Sequence, residues 1–350
     1  MRILQVATDS NRRGAQIFAH QLGPLLGDGD WTVRTVALTA GGDGPQLPFD
    51  VLGERRLGGS TLTRLRRSVI GADAVIGFGS TTLPACGITT FGSGVPFVYR
   101  SIGDLSYWAA TPSKKLRVRL LLRRATRVVA LWPEAARTVE EDFGVPAERV
   151  AMIPRGVDTR HFAPMSEEYR ARARAQMPIP NSAPTACVVG SLAAEKAVDV
   201  AIAAASHVED LHLLVAGAGP LRSELEAQAK AVLGGRVHFL GAVSDTRPVY
   251  AASDLLLLPS WSEGVPGVVI EAGLCGCPTV ATDVGGTSSV IDHDVTGQLV
   301  VPGQPEAMAE SIRTVLRNRV VFGAAARSRY VERFSLTRIG RSWTELLQTI

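Results

Sequence analysis

The sequence predicts an α/β protein built from two parallel, doubly wound sheets, each with its own core. Short apolar runs rich in Val, Ile and Leu alternate with helix-like stretches along the chain, the pattern of βαβ units. That alternation halts in a polar, proline-punctuated stretch at 164–184 and then restarts. A length of 350 residues suits two domains better than one, and 46% hydrophobic with only 6% aromatic residues suits close helix-on-sheet packing. The expected boundaries are 1–164, 165–334 and a tail at 335–350.

In the first half, strands are expected at 3–7, 32–38, 74–77, 97–100, 128–131 and 150–153. Strand 3–7 runs into Thr8-Asp9-Ser10-Asn11-Arg12-Arg13-Gly14-Ala15-Gln16 and a helix at 15–26, so a flexible turn delivers a helix amino end to a strand's carboxyl end. This loop is a candidate holder of phosphate or of an acceptor hydroxyl. A second helix is expected near 133–143. After the break, strands are expected at 186–189, 211–216, 237–240, 255–258 and 279–281, with helices at 198–205 and 221–233. Gly285-Gly286 follows the last of these and opens a helix from Ser288. In the tail, Leu336, Ile339, Trp343, Leu346 and Leu347 recur at helical spacing and predict a helix packing back on the body.

The richest stretch is Ser262-Glu263-Gly264-Val265-Pro266-Gly267-Val268-Val269-Ile270-Glu271. Pro266 suits a first helical turn, and Gly276 and Pro278 mark the stop. Glu271 then lies roughly 7 to 8 Å along the axis from Pro266. Glu263 stands at the other side of the helix mouth. Between the carboxylates, the unpaired N–H groups of Gly267 and Val268 offer a seat for a diphosphate, and each Glu can accept from a sugar hydroxyl. Taken singly, either Glu reads as a cap or a solvated side chain. Placed as a pair around an anion-ready turn, with Gly264 and Gly267 admitting a ligand to the backbone, they read as a site. Two doubly wound domains facing each other form a cleft at their strand carboxyl ends.

Net charge is +4, unevenly placed: residues 1–160 hold 21 Lys and Arg against 14 Asp and Glu, and residues 161–350 hold 16 against 19. The excess gathers in Arg64, Arg66 and Arg67 and in the segment 114–124, a basic helical stretch with leucines. It reads either as a helix for an anionic membrane surface or as a solvated face over the domain core. Nucleic-acid binding lacks aromatic interleaving or a module. The first residues make a strand pattern and not a secretory signal, and no apolar run is long enough to span a bilayer. Cys86, Cys187, Cys275 and Cys277 read as small buried thiols in a reducing compartment, since Cys275-Gly-Cys277 lacks the spacing and partners of a metal or redox pair. No Walker lysine, G-x-S-x-G, H-E-x-x-H or G-x-G-x-x-G after the first strand occurs. Only four of the 37 basic residues are lysines, which draws attention to Lys196 in the loop after strand 186–189.

Together, Ser253-Asp254-Leu255, Pro259-Ser260, Glu263-Gly264-Val265-Pro266, Glu271-Ala272, Gly276-Cys277-Pro278, Val284-Gly285-Gly286 and Gly297-Gln298-Leu299-Val300 resemble the retaining GT-B glycosyltransferases of family 4, the glycosyl transferases group 1. Ile153-Pro154-Arg155-Gly156-Val157-Asp158 and Gly14-Ala15-Gln16 add to the resemblance, which covers almost the whole chain. It implies two Rossmann-like domains, a nucleotide-sugar donor on the C-terminal one and an acceptor on the N-terminal one. It also implies transfer with retention and without a metal or other cofactor. Matching positions imply that Glu263 is the catalytic-site carboxylate on the donor sugar, Glu271 holds the ribose and Lys196 the diphosphate. Gly190, Ser191, Gly264, Gly267, Val268 and Val243 complete the donor set. Arg13, Gly14, Ala15, Arg100 and Asp104 are the N-terminal candidates for acceptor or phosphate.

The chain departs from the family pattern where Ser191 replaces a diphosphate-loop Arg, Arg13 the first Gly of a pair, and Ser289 a Glu. The N-terminal histidine is replaced by the run from Arg100, so Arg13 and Arg100 are candidates to supply the lost charge. Three functions are weighed: a hexosyltransferase-type enzyme using a UDP- or GDP-sugar in glycan, glycolipid or envelope polysaccharide synthesis; a sugar-nucleotide 2-epimerase of the same fold; and a degenerate binding protein. The acceptor is a lipid-linked sugar, a small molecule or a growing polysaccharide. A cytoplasmic protein, peripheral on the inner face of the plasma membrane, is expected.

Overall fold

A computed structural model describes all residues except 28–30, 43, 104 and 106–108. The chain divides into two compact units, Met1–Gly156 with Leu336–Ile350, and Val157–Ser335. The first contains the strands β1 (Arg2–Asp9), β2 (Thr32–Thr39), β3 (Asp50–Gly53), β4 (Ala74–Phe78), β5 (Phe97–Arg100), β6 (Arg127–Ala130) and β7 (Val150–Met152), in sheet order β3-β2-β1-β4-β5-β6-β7. All pairs are parallel. The second contains β8 (Thr185–Val189), β9 (His212–Ala216), β10 (Val237–Gly241), β11 (Leu255–Leu258), β12 (Thr279–Thr282) and β13 (Gly297–Val300), ordered β10-β9-β8-β11-β12-β13 and again all parallel.

Each sheet is covered on both faces, so its central strands are apolar throughout: every residue of β11, Leu255 to Leu258, is buried. In each unit the strand order reverses once, between β1 and β4 and between β8 and β11. Loops leaving the carboxyl ends of those neighbours are where a doubly wound sheet receives a ligand.

Four expectations are corrected. The first unit ends at Gly156, not 164, because the Val157 N–H donates to the Phe334 carbonyl at 2.8 Å and Val157 pairs with Ser335, tying both segments into the second unit. The stretch 164–184 is part of that unit and no loose linker: Ser166 caps the helix Glu167–Ala175, Arg174 donates to the Ala252 carbonyl at 2.6 Å and Arg170 pairs with Asp254 at 2.7 Å. No helix starts at Ser288. Thr287 and Ser289 hydroxyls donate to the carbonyls of Val284 and Gly286, so the backbone makes successive turns instead. Pro266 is the cap, with extended backbone, and the helix is Gly267–Leu274.

The tail forms the helix Leu336–Gln348 in the first unit, packed on the helix Gly14–Leu26. Trp343 is 0% exposed and lies 6.4 Å from the Phe78 ring. Close approach needs Gly340, where a Cβ would sit 3.2 Å from Leu25 Cβ. Strands β3 and β13 and the helices Gly59–Ile70, Thr82–Thr89, Pro305–Arg317 and Arg319–Phe334 add to the expected set.

Candidate functional site

In the second unit, the loops after β8 and β11 leave neighbouring strands at the point where strand order reverses. The first carries Gly190, Ser191 and a short helical turn Ala194–Lys196; the second carries Glu263 and Gly264. Lys196 Nζ meets Glu263 Oε1 at 2.7 Å, and the buried Ser260 hydroxyl donates to the same oxygen at 2.6 Å. The Glu263 side chain is only 9% exposed, Lys196 28%. A second tie joins the loops, from the Trp261 N–H to the Glu195 carbonyl at 2.9 Å.

Glycines let these loops stack. At Gly285, with φ +54, a Cβ would fall 1.9 Å from the Glu263 carbonyl oxygen, and at Gly217 one would fall 1.8 Å from that of Gly190. Thr282, fully buried, donates to the Ser260 carbonyl at 2.6 Å and fixes the start of the Glu263 loop.

From that loop the chain enters the helix Gly267–Leu274, which has no acidic residue in its first turn and no side-chain cap. The N–H groups of Gly267 and Val268 at this helix mouth are therefore not engaged by a capping side chain, the arrangement that suits an anion. One turn on, Glu271 accepts from the Tyr250 hydroxyl at 3.2 Å. Burial, then the Glu271 charge, hold the Tyr250 phenol well above its usual range, so it remains a donor at neutral pH. Val243 lies half-buried in the loop after β10. Ser191 is exposed and carries no charge to offer a diphosphate.

In the first unit, the loop after β1 and the loop after β4 border a cavity of about 340 Å³ lined by Asp9, Arg13, Gly14, Ala15, Arg56 and Ser80. Asp9 is buried and accepts from the Gln16 amide at 2.9 Å and from Arg56 at 3.2 Å. Arg100, at the end of β5, is not among the lining residues; it lies buried with its guanidinium 4.2 Å above the Phe18 ring. Asp104 lies outside the described residues. Ser260, Tyr250 and Arg56 take part here without having been singled out; Ser260 stood inside a quoted motif, whereas nothing local signals the reach of Tyr250 to Glu271 or of Arg56 to Asp9.

The histidines are engaged elsewhere. His212 and His238 stack with ring centroids 5.6 Å apart, His293 accepts from the Leu299 N–H, His161 meets Phe162 edge-on, His20 tilts against Phe49 and His207 approaches Glu306. The cysteines are free thiols. Burial pushes Cys275 up to about 12, far from the range of a reactive or metal-binding thiolate.

Two parallel doubly wound sheets with an anion-ready helix mouth at the second define the GT-B class of fold. Family models match in both units: glycosyl transferases group 1 over residues 183–318 and a glycosyl transferase 4-like domain over residues 5–156. The chain belongs to the glycosyl transferases group 1 family. Curated relatives include the D-inositol 3-phosphate glycosyltransferase of Nocardia farcinica, 32% identical over 59% of this chain and 48% of that one. That of Salinispora tropica is 32% identical over 65% and 52%. The chain thus spans about half the length of these relatives. Among solved structures, Anabaena Alr3699/HepE in complex with UDP-glucose has a TM-score of 0.87 at 22% identity, covering 100% of both chains. Sucrose-phosphate synthase from Thermosynechococcus elongatus has 0.84 at 21%, covering 100% of this chain and 98% of that one. At such identity these structures share the fold.

Proposed function

We propose that the protein is a retaining glycosyltransferase that moves a sugar from a UDP- or GDP-sugar, held by the second unit, to an acceptor hydroxyl held by the first. The observation that carries this reading is the Lys196–Glu263 pair at the mouth of the helix Gly267–Leu274, with Glu271 held by Tyr250. Lys196 and the N–H groups of Gly267 and Val268 take the diphosphate charge, which grows as the sugar departs. Glu271 receives the ribose hydroxyls. Glu263, whose Oε1 already accepts from Lys196 and Ser260, orients the donor sugar and is no free nucleophile. Lys196 and the helix end take the leaving charge without a metal. Relatives named for transfer to an inositol phosphate and a neighbour solved with UDP-glucose support a sugar nucleotide, UDP foremost.

A panel of UDP-, GDP- and ADP-sugars with a mixture of acceptors tests it. Nucleotide release with an α-linked product from an α-donor, unchanged by chelator, supports the proposal; formation of a 2-epimer, or binding without turnover, overturns it.

We also propose that the first unit docks on an anionic bilayer on the cytoplasmic side. On the helix Pro112–Leu122, Val118 and Leu122 are buried but Leu116 and Leu120 are exposed. Leu120 lines a groove of about 640 Å³ with exposed Ile88 and Phe91, and Arg124 stacks 4.3 Å over Phe91 with Arg123 alongside. Apolar side chains ringed by arginines complement a surface of acidic headgroups over hydrocarbon. Sedimentation with phosphatidylglycerol vesicles at low salt, lost in L116E/L120E, is the expected result; no sedimentation overturns it.

A further inference from the structure

A cavity of about 500 Å³ lies within the second unit at the amino edge of its sheet, where Ser253 leads toward β11 and Cys277 toward β12. The loops carrying Lys196 and Glu263 leave the opposite edge. The helix Gly267–Leu274 runs from one edge to the other: Gly267 stands at its mouth, and its last carbonyl, that of Leu274, accepts from Arg327 of the cavity wall at 3.2 Å. Eight helical residues set its two ends roughly 12 Å apart.

Three arginines line the cavity, Arg170, Arg319 and Arg327, against one acidic residue, Glu167, which is exposed. Behind the wall, Asp254 lies 2.7 Å from Arg170, 3.4 Å from Arg319 and 4.0 Å from Arg174, so one negative charge meets three positive ones. Arg327 reaches only the carbonyls of Thr159, Phe162 and Leu274, with no carboxylate in ion-pair range among the described residues. Burial lowers the pKa of Arg174; Asp254 opposes the shift, and Arg170 and Arg319 add to it. The thiols in the wall bring no compensating charge, since burial holds Cys275 neutral, and a contact with Cys187, then burial, does the same for Cys277. Arg170 is committed to structure through the carbonyls of Ala251 and Ser253 besides Asp254. Arg319 is less engaged, with 34% of its side chain exposed. It opens the 16-residue helix Arg319–Phe334, which has no side-chain cap and no acidic residue in its first turn. Arg319, Val320 and Gly323 of that helix all line the cavity, so its positive end adds to the guanidiniums. Exposed Val320 and half-buried Met165 supply an apolar wall beside them.

We propose that this cavity binds a small organic oxyanion, a phosphate or carboxylate on an apolar body, at a site separate from the loops of Lys196 and Glu263. Guanidiniums match the geometry of both oxyanions, and the volume lies in the range of small-molecule sites. The site does not depend on the transferase reading, because its residues and those assigned to the donor stand at opposite edges of one sheet.

Calorimetric titration of phenyl phosphate into the whole protein, with and without saturating UDP, tests this beside Arg319→Met and Val320→Glu. Val320 is exposed, so Val320→Glu sets a carboxylate in the wall without emptying a packed site and guards against loss of fold. The expected result is binding to the wild type that UDP leaves unchanged, at least tenfold weaker in both variants, with UDP affinity retained in each. Loss of phenyl phosphate binding in the presence of UDP, or in Lys196→Met, places the probe in the donor loops and overturns the second site. No binding to the wild type, or binding unchanged in either variant, overturns it as well. If phenyl phosphate binds and both variants weaken it while UDP does not bind at all, the transferase reading falls and the cavity's assignment stands.

Discussion

Lys196 and Glu263, 67 residues apart in sequence, share a 2.7 Å contact at the carboxyl edge of adjacent strands β8 and β11. In the absence of donor each neutralises the other, so the site is stable while empty. On the proposed reading, a donor diphosphate would compete for the lysine and leave Glu263 with Ser260 and the sugar. Lys196→Met should therefore weaken UDP binding about 10- to 100-fold, the worth of a charge-assisted hydrogen bond. Glu263→Gln should leave UDP binding intact or tighter and depress turnover. Calorimetric titration and initial rates separate the two; parallel losses in both variants contradict the division of roles.

Gly285→Ala strains the loop twice, through φ +54 and through the 1.9 Å approach to the Glu263 carbonyl. A loss of about 1–3 kcal/mol in stability is expected. Because the clash falls on the backbone of Glu263, turnover should drop by more than the unfolded fraction accounts for. Urea denaturation beside kinetics checks both.

Removing the Tyr250 hydroxyl takes one hydrogen bond from Glu271 without changing its charge. Tyr250→Phe should raise the KM for the donor roughly 3- to 10-fold, equivalent to about 0.5–1.5 kcal/mol. The effect should vanish with a donor lacking ribose hydroxyls. An equal effect on both donors removes Glu271 from the ribose.

Stability should decline below neutral pH through the stacked His212 and His238. Burial, then nearby positive charge (Arg236 beside His212, His212 beside His238), lowers both pKa values from 6.5. The unfolded chain then binds more protons than the native one as pH falls through 6.5, so stability drops until the folded values are passed. Asp210 opposes the shift at His212, and Arg174 adds to it. Chemical denaturation across pH 5 to 7 should show a shallower slope in His238→Phe.

Trp343→Ala should destabilise the first unit by about 3–5 kcal/mol, the cost of emptying a large fully buried site. Trp343→Phe should cost far less, because the indole N–H has no hydrogen-bond partner among the described residues. The second unit should keep its UDP affinity in both variants.

Much of this was legible in residues 255–276. A fully apolar run, Pro259, two glycines, Pro266 and Gly276 punctuate a strand, loop and helix so sharply that the helix mouth and its two carboxylates follow from local chemistry. The Lys196–Glu263 pairing did not follow, since it closes only when β8 lies beside β11, a matter of strand order. Arg56 reaching Asp9 escaped for the same reason. At residues 287–292 local pattern misled, because hydroxyls satisfied the carbonyls that a helix needs. The leucines of 114–124 were ambiguous, and the structure divides them: Leu122 goes inward, Leu116 and Leu120 outward.

The pairing of Val157 with Ser335 has a consequence for the order of assembly. Residues 157–335 leave and re-enter at one point, so this unit carries every segment it needs once Ser335 has been made. The earlier-synthesised unit does not. It must wait, with the apolar faces of Phe18, Leu22 and Phe78 uncovered, until Ile339, Trp343 and Leu347 emerge from the ribosome. Of these two units, the one begun first is the one completed last.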